Sequence, residues 1–170
     1  MNNILLVKGG IKKTIIATAI CKVLHKQYPN DRLIVISDFP EIFIGLSYVS
    51  EALKSTECSY FYEKYVSELQ FRVFAHDPYQ DTLFLNDTSH VIESWCKMYD
   101  LTWEGELPEI RLTTRELDFY QEQFKSDKPI LVIQPNECNL ELPYRYDWTK
   151  DIPVEVTQRI IVEFENTCVK

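Results

Sequence analysis

The sequence has only four glycines and eight prolines in 170 residues, which excludes collagen-like and low-complexity architectures. It has no apolar run long enough to span a bilayer. Its apolar start is short and passes directly into Lys8-Gly9-Gly10, so it does not read as a secretory signal. No two of the five cysteines (Cys21, Cys58, Cys96, Cys138 and Cys168) have Cys-x-x-Cys spacing, and their number is odd. A disulfide framework is therefore not indicated, and a reducing compartment is the simplest reading. His25, His76 and His90 do not cluster with those cysteines in sequence, so no metal site is expected. A basic excess is missing too: the formal net charge is -8, and an acidic chain is repelled by nucleic acid and by anionic membranes. These absences predict a soluble, cytoplasmic protein with no nucleic-acid partner and no transmembrane segment.

What is present is a folding composition. Hydrophobic residues make up 45% of the chain and aromatics 13%, enough for a real core and too apolar for disorder. The length suits one domain, residues 1–170. Residues 4–7 read as a buried strand. Gly9 and Gly10 make a tight turn, and residues 14–27 form an amphipathic helix with Ile16, Ala17, Ile20, Val23 and Leu24 on one side. Pro29 ends that helix by disfavouring helical geometry in the residue before it. Residues 33–36 are a continuous apolar strand, the pattern of a parallel sheet covered on both faces. The fold class expected is α/β, a Rossmann-like three-layer domain with a mostly parallel sheet.

Further along, residues 41–53 are expected to hold a short helix and a turn, and residues 71–75 a short strand. Residues 89–98 read as a helix with Val91, Ile92, Trp95 and Met98 at helical spacing. Residues 101–112 read as extended, and a helix is expected from Thr113 to about Phe124, with Glu116 at the capping-box position. The apolar run Ile130-Leu131-Val132-Ile133 reads as another strand. The final helix, residues 153–165, is expected to turn Val156, Ile160, Ile161 and Phe164 inward.

The glycine turn admits two readings. Lys8-Gly9-Gly10-Ile11-Lys12-Lys13-Thr14 resembles the deviant phosphate loop of partition-type ATPases, K-G-G-x-G-K-[ST], in which backbone amides wrap phosphates and the hydroxyl binds magnesium. Lys12 stands where that loop has its third glycine, and a side chain there obstructs the approach of backbone to phosphate.

The second reading spans nearly the whole chain. The first two strands with Tyr28-Pro29 between helix and strand, Pro40-Glu41-Ile42-Phe43, Phe74-Ala75-His76-Asp77-Pro78-Tyr79 and His90-Val91-Ile92-Glu93-Ser94-Trp95-Cys96 form one ordered series. It continues with Gly105-Glu106-Leu107-Pro108-Glu109, Lys128-Pro129-Ile130-Leu131-Val132-Ile133-Gln134-Pro135-Asn136 and Trp148-Thr149-Lys150-Asp151-Ile152-Pro153. In order and spacing this series resembles the amino-terminal domain of glycosyltransferase family 9, the lipopolysaccharide heptosyltransferase-like family. The resemblance implies the amino-terminal half of a GT-B type enzyme, a two-domain transferase whose first half binds a sugar or glycan acceptor. It implies a nucleotide sugar as donor, held by a carboxyl-terminal domain that is absent here, and no cofactor in this chain. It also implies metal-independent inverting transfer, in which a base takes the acceptor hydroxyl proton. The chain then reads as a truncated or degenerate acceptor domain, inactive alone. Its exposed cleft surface would be covered by a protein partner or a second copy. A non-catalytic binding module remains a third reading.

The candidate acceptor-binding residues are Gly9, Gly10, Lys12, Lys13, Asp38, His76, Asp77 and Asn136. The carboxylate that the family carries in the glycine turn is replaced at Lys12 and Lys13, so the catalytic group is left unassigned. A lysine is protonated at neutral pH and cannot serve as base without strong desolvation. Gly9 and Gly10 serve the turn first. Asp38 and Glu41 follow a strand's carboxyl end, where ligand sites of open sheets form, and turn chemistry explains them equally. His76 and Asp77 follow another strand. His90 at a helix start is read as structural, Trp95 and Trp103 as packing, and Trp148 as the aromatic nearest the expected cleft.

Overall fold

The computed structural model describes residues 1–66, 70–86, 88–135 and 152–168. They divide into two compact units, Met1–Thr113 and Thr114–Lys170.

The first unit is built on a sheet. Strand β1 (Asn2–Val7) is buried along almost all of its length. It leads through Lys8, Gly9 and Gly10 into helix α1 (Ile11–Gln27), which ends at Tyr28 and returns to strand β2 (Arg32–Ser37). His25 and Lys26 occupy the last turn of α1, where positive charge complements the helix dipole. Strands β3 (Glu51–Lys54) and β4 (Phe71–Phe74) complete a four-stranded sheet in the order β3-β2-β1-β4, every pairing parallel. The expected Rossmann-like α/β class is what the chain adopts.

Alternation along the strands sends Leu5, Val7, Leu33, Val35 and Phe74 to one face. There they join Ala17, Ile20, Val23 and Leu24 of α1. Val91, Ile92 and Trp95 of a second helix, α4 (Val91–Lys97), pack into the same core. Each such fully buried aliphatic side chain is stabilised by about 1.5–3 kcal/mol relative to exposure. The opposite face carries Ile4 and Ile34, also buried. Tyr65 of the short helix α2 (Phe61–Tyr65) lies there, its carbonyl accepting from the Asn2 side chain at 3.1 Å and its hydroxyl bonded to Glu51. Burial on both faces explains why β1 and β2 read as unbroken apolar runs.

The segment after α4 is extended and strapped along α1. Lys22 Nζ donates to the Leu107 carbonyl at 2.8 Å and pairs with Glu109 at 2.9 Å. Lys26 pairs with Glu104 and Glu106. The Glu109 amide donates to Thr18 Oγ1 at 2.8 Å, and the Trp103 indole donates to the Glu106 carbonyl at 2.9 Å.

Three elements were not anticipated or differ in kind. The short helix and turn expected within residues 41–53 are present, as the 3-10 helix Pro40–Phe43 and the turns after it, but they are followed by β3, which was not expected. β3 reads Glu-Ala-Leu-Lys and lacks β-branched residues. It is an edge strand, where charged ends are the usual protection. Helix α2 and the short helix α3 (Thr82–Leu85) have too few turns to show a period.

The second unit holds helices α5 (Thr114–Gln123) and α6 (Val154–Cys168), with the Ile152 amide donating to the Pro135 carbonyl at 2.8 Å. Two expectations are corrected here. Ile130-Leu131-Val132-Ile133 is not a strand, and Val132 is 83% exposed. An apolar run becomes a strand only where a neighbouring strand takes its backbone hydrogen bonds. Val156, Ile160 and Ile161 of α6 are exposed rather than inward, while Phe164 is half-buried. Residues 143–151, including Trp148, lie outside the described residues, as do Asn136 and Cys138.

Candidate functional site

The chain lays β2 and β3 on one side of β1 and then crosses to place β4 on the other. The order therefore reverses between β1 and β4, and the crevice beyond the carboxyl ends of those strands is where open α/β sheets bind ligands. β1 delivers Lys8, Gly9 and Gly10 there, and β4 delivers His76 and Asp77.

Gly9 has φ +113°, a backbone state that side chains rarely adopt. Gly10 has φ -69° and is the N-cap of α1, with no side-chain cap. A Cβ on Gly10 would meet nothing within 4 Å. Because the helix opens at Ile11, Lys12 and Lys13 already belong to its first turn. Lys12 is exposed, whereas Lys13 turns inward and retains 10% of its side-chain exposure.

Lys13 is the centre of the site. Its ammonium pairs with Asp77 Oδ2 at 2.9 Å and lies 5.7 Å from the Trp95 ring centroid and 5.9 Å from that of Tyr79. A carboxylate and two aromatic faces together replace the water lost by an ammonium on burial. Asp77 also accepts from the Tyr79 amide at 3.1 Å, capping the 3-10 turn Pro78–Gln80. The Asp77 side chain is 39% exposed. Tyr79 packs edge-to-face on Phe84 at 5.2 Å. His76 is held through its backbone: its amide donates to the Tyr99 hydroxyl at 2.7 Å, and that hydroxyl donates to the His76 carbonyl at 3.3 Å. Burial pushes the Tyr99 hydroxyl up from its ordinary value, so it stays a neutral bridge.

The expected site residues thus divide. Gly9, Gly10, Lys12, Lys13, His76 and Asp77 gather at the β1/β4 crevice. Asp38 follows β2 and accepts from the Ser55 hydroxyl, one strand further from the crevice. Thr14 is fully buried. Its hydroxyl donates to the Gly10 carbonyl at 3.3 Å and lies 3.4 Å from Ser37 Oγ. His90 caps α4, its Nδ1 accepting from the Ile92 amide at 3.3 Å, and stacks on Trp103. Trp95 is fully buried core. Cys21 and Cys96 are buried, and burial pushes the Cys96 thiol up to about 12, which keeps it unreactive.

Tyr79 is the residue that sequence reasoning did not single out for the site. The signal was position, two residues after Asp77 in the turn that follows the strand end. A surface hollow of about 460 Å³ lies at the opposite end of the sheet, lined by Met1, Asn2, Asn30, Arg32 and Gln70, and includes none of the crevice residues. Among the described residues no group of three or more potential metal ligands occurs, and no helix is long and apolar enough to cross a membrane. Compared with known proteins, the chain matches no family model, no curated protein and no solved structure.

Proposed function

We propose that this chain is a glycosyltransferase-like acceptor-binding domain of the family 9 type, with the β1/β4 crevice as its acceptor site. The observation that carries the reading is the meeting of Lys13 and Asp77, from the two sides of the strand-order reversal, at 2.9 Å. A glycosyltransferase of this type uses a carboxylate near the acceptor hydroxyl. Here Lys12 and Lys13 follow the glycine turn in the first turn of α1, and the carboxylate paired with Lys13 comes from the loop after β4, as Asp77. A lysine paired with that carboxylate holds it in place, where it can accept a hydroxyl hydrogen bond.

Transfer would require a nucleotide sugar as donor, which we assign to no residue of this chain. The domain's own contribution is then to bind and orient the acceptor. Calorimetry and thermal shift on the purified chain test the reading with three ligand groups: saccharides and their phosphates, sugar nucleotides, and Mg-ATP. Binding of saccharides or their phosphates, weakened in Asp77→Ala, is expected. Binding confined to Mg-ATP and lost in Lys13→Ala would replace the reading with that of a partition-type ATPase. A chain that binds no ligand of any group would be a non-catalytic module.

A further inference from the structure

We infer that two copies of the chain form a two-fold dimer in which residues 130–133 of each copy add as a strand to the outer edge of β4 in the other. The surface is distinct from the crevice, and the inference stands independently of the acceptor-domain reading.

Among the described residues β4 pairs with β1 alone, so its outer edge keeps a row of backbone donors and acceptors. The two edges of the sheet differ. β3 carries Glu51 and Lys54, charges that discourage further pairing. β4 reads Phe-Arg-Val-Phe, and its one charge is engaged on the face it shares with Phe74. There Arg72 donates to Asp31 at 2.8 Å and to Asn3 at 3.0 Å. Alternation puts Phe71 and Val73 on the opposite face. They remain 43% and 52% exposed there, while Ile4, beside Val73 in the ladder, is buried.

Residues 130–133 are the matching half. Three of the four are β-branched, the residue type that suits a pleated strand. Ile130, Leu131 and Val132 are exposed, and among the described residues the backbone of this run makes no backbone hydrogen bond. Pro129 and Pro135 bracket it, and prolines bound a strand because they have no amide to donate. That limits the run to about the four-residue length of β4.

The occupant follows from this pairing of deficits. A free edge takes an extended chain, because its donors and acceptors are spaced for a ladder. Pairing β4 with the β4 of another copy would leave both runs unpaired. Reciprocal exchange satisfies two edges and two runs at once and closes on a two-fold axis, whereas one-way addition leaves an open end that grows into fibres. The exchange also covers Phe71 and Val73 with apolar side chains of the incoming run.

Sedimentation velocity on the full chain over a wide concentration range tests the inference, and a dimer is expected. Val73→Asp at the edge and Val132→Asp in the run are each expected to weaken it about tenfold or more. Both side chains are exposed, and thermal melts establish that each variant is folded. Mixing the two variants is expected to restore association to about tenfold above either alone, because the intact run of the Val73→Asp chain meets the intact edge of the Val132→Asp chain. A dimer indifferent to Val132→Asp, or one that mixing does not restore, would overturn the exchange. A chain that stays monomeric at every concentration would overturn it as well, and protection of the amides of residues 71–74 from hydrogen exchange in that monomer would assign the edge to another segment of the same chain.

Discussion

Lys13 and Asp77 meet at 2.9 Å across the point where the strand order reverses, with the lysine almost enclosed and the aspartate partly open to solvent. Removing one member of a buried pair is costly when the charge left behind is itself buried. Lys13→Met removes the enclosed charge and leaves Asp77, which at 39% exposure is solvated, so it is expected to change stability by about 1 kcal/mol or less. Lys13→Asp sets two carboxylates against each other and is expected to lower stability by about 3 kcal/mol, the low end for such pairs because Asp77 is partly exposed. Urea unfolding of both variants measures the difference. Equal stability would mean that solvent screens the pair.

The two glycines of the turn separate backbone need from ligand need. Gly9→Ala forces a side chain into positive φ and is expected to cost about 1–2 kcal/mol. Gly10→Ala meets no steric obstacle in the structure and is expected to stay within about 0.5 kcal/mol of the parent, since alanine's lower unfolded-state entropy and its weakness as an N-cap offset each other. Thermal melts read both. A loss of saccharide binding in a fully stable Gly10→Ala would show that the ligand approaches this backbone closely.

The strap along α1 gives acid sensitivity. Hydrogen bonds from Arg111 and Lys22 hold the Glu109 carboxyl down at about 2, below its ordinary value of 4.5. A depressed carboxyl contributes stability that is complete above the unfolded value and is lost as pH falls through the folded one. The parent is therefore expected to exceed Glu109→Gln in stability at pH 6, with the gap closing between about pH 4.5 and 2. Melting temperatures of both proteins across that range check it. A gap that stays constant down to pH 2 would show that Glu109 acts by packing alone.

Exposure divides the two units. Leu117, Phe119, Phe124, Val132, Val154 and Val162 of the second unit are each more than a third exposed, and none of its described residues is buried. Local stability follows burial, so brief trypsin treatment is expected to cut first at Arg115 or Lys125 and to spare a fragment containing residues 1–113. Initial cleavage inside α1, at Lys22 or Lys26, would contradict this.

Much of the first unit was readable from local pattern. The runs Ile4–Val7 and Leu33–Ile36 announce strands because burial on both faces requires continuous apolar sequence. Helix α1 announces itself through its period and its Tyr28-Pro29 stop. The same logic misread Ile130–Ile133, which has the run but no strand beside it among the described residues, and missed β3, whose Glu51 and Lys54 suit an edge rather than a core. Candidate residues were legible where they follow a strand's carboxyl end: Gly9, Gly10, His76 and Asp77 all do. The inward turn of Lys13 was not legible. Its position in the first helical turn suits a solvated side chain equally well, and Lys12 beside it is one.

The sequence by itself determined the α/β class, the parallel character of the sheet and the tight turn at Gly9, because apolar runs, helical period and glycine backbone freedom are properties of neighbouring residues. Tertiary structure alone decided that β4 lies beside β1 and not beside β3. That choice brings Asp77 to Lys13 and creates the crevice between them. It depends on which strand edge offers the better apolar and hydrogen-bonding complement to β4, a comparison among segments distant in the chain that no local pattern contains.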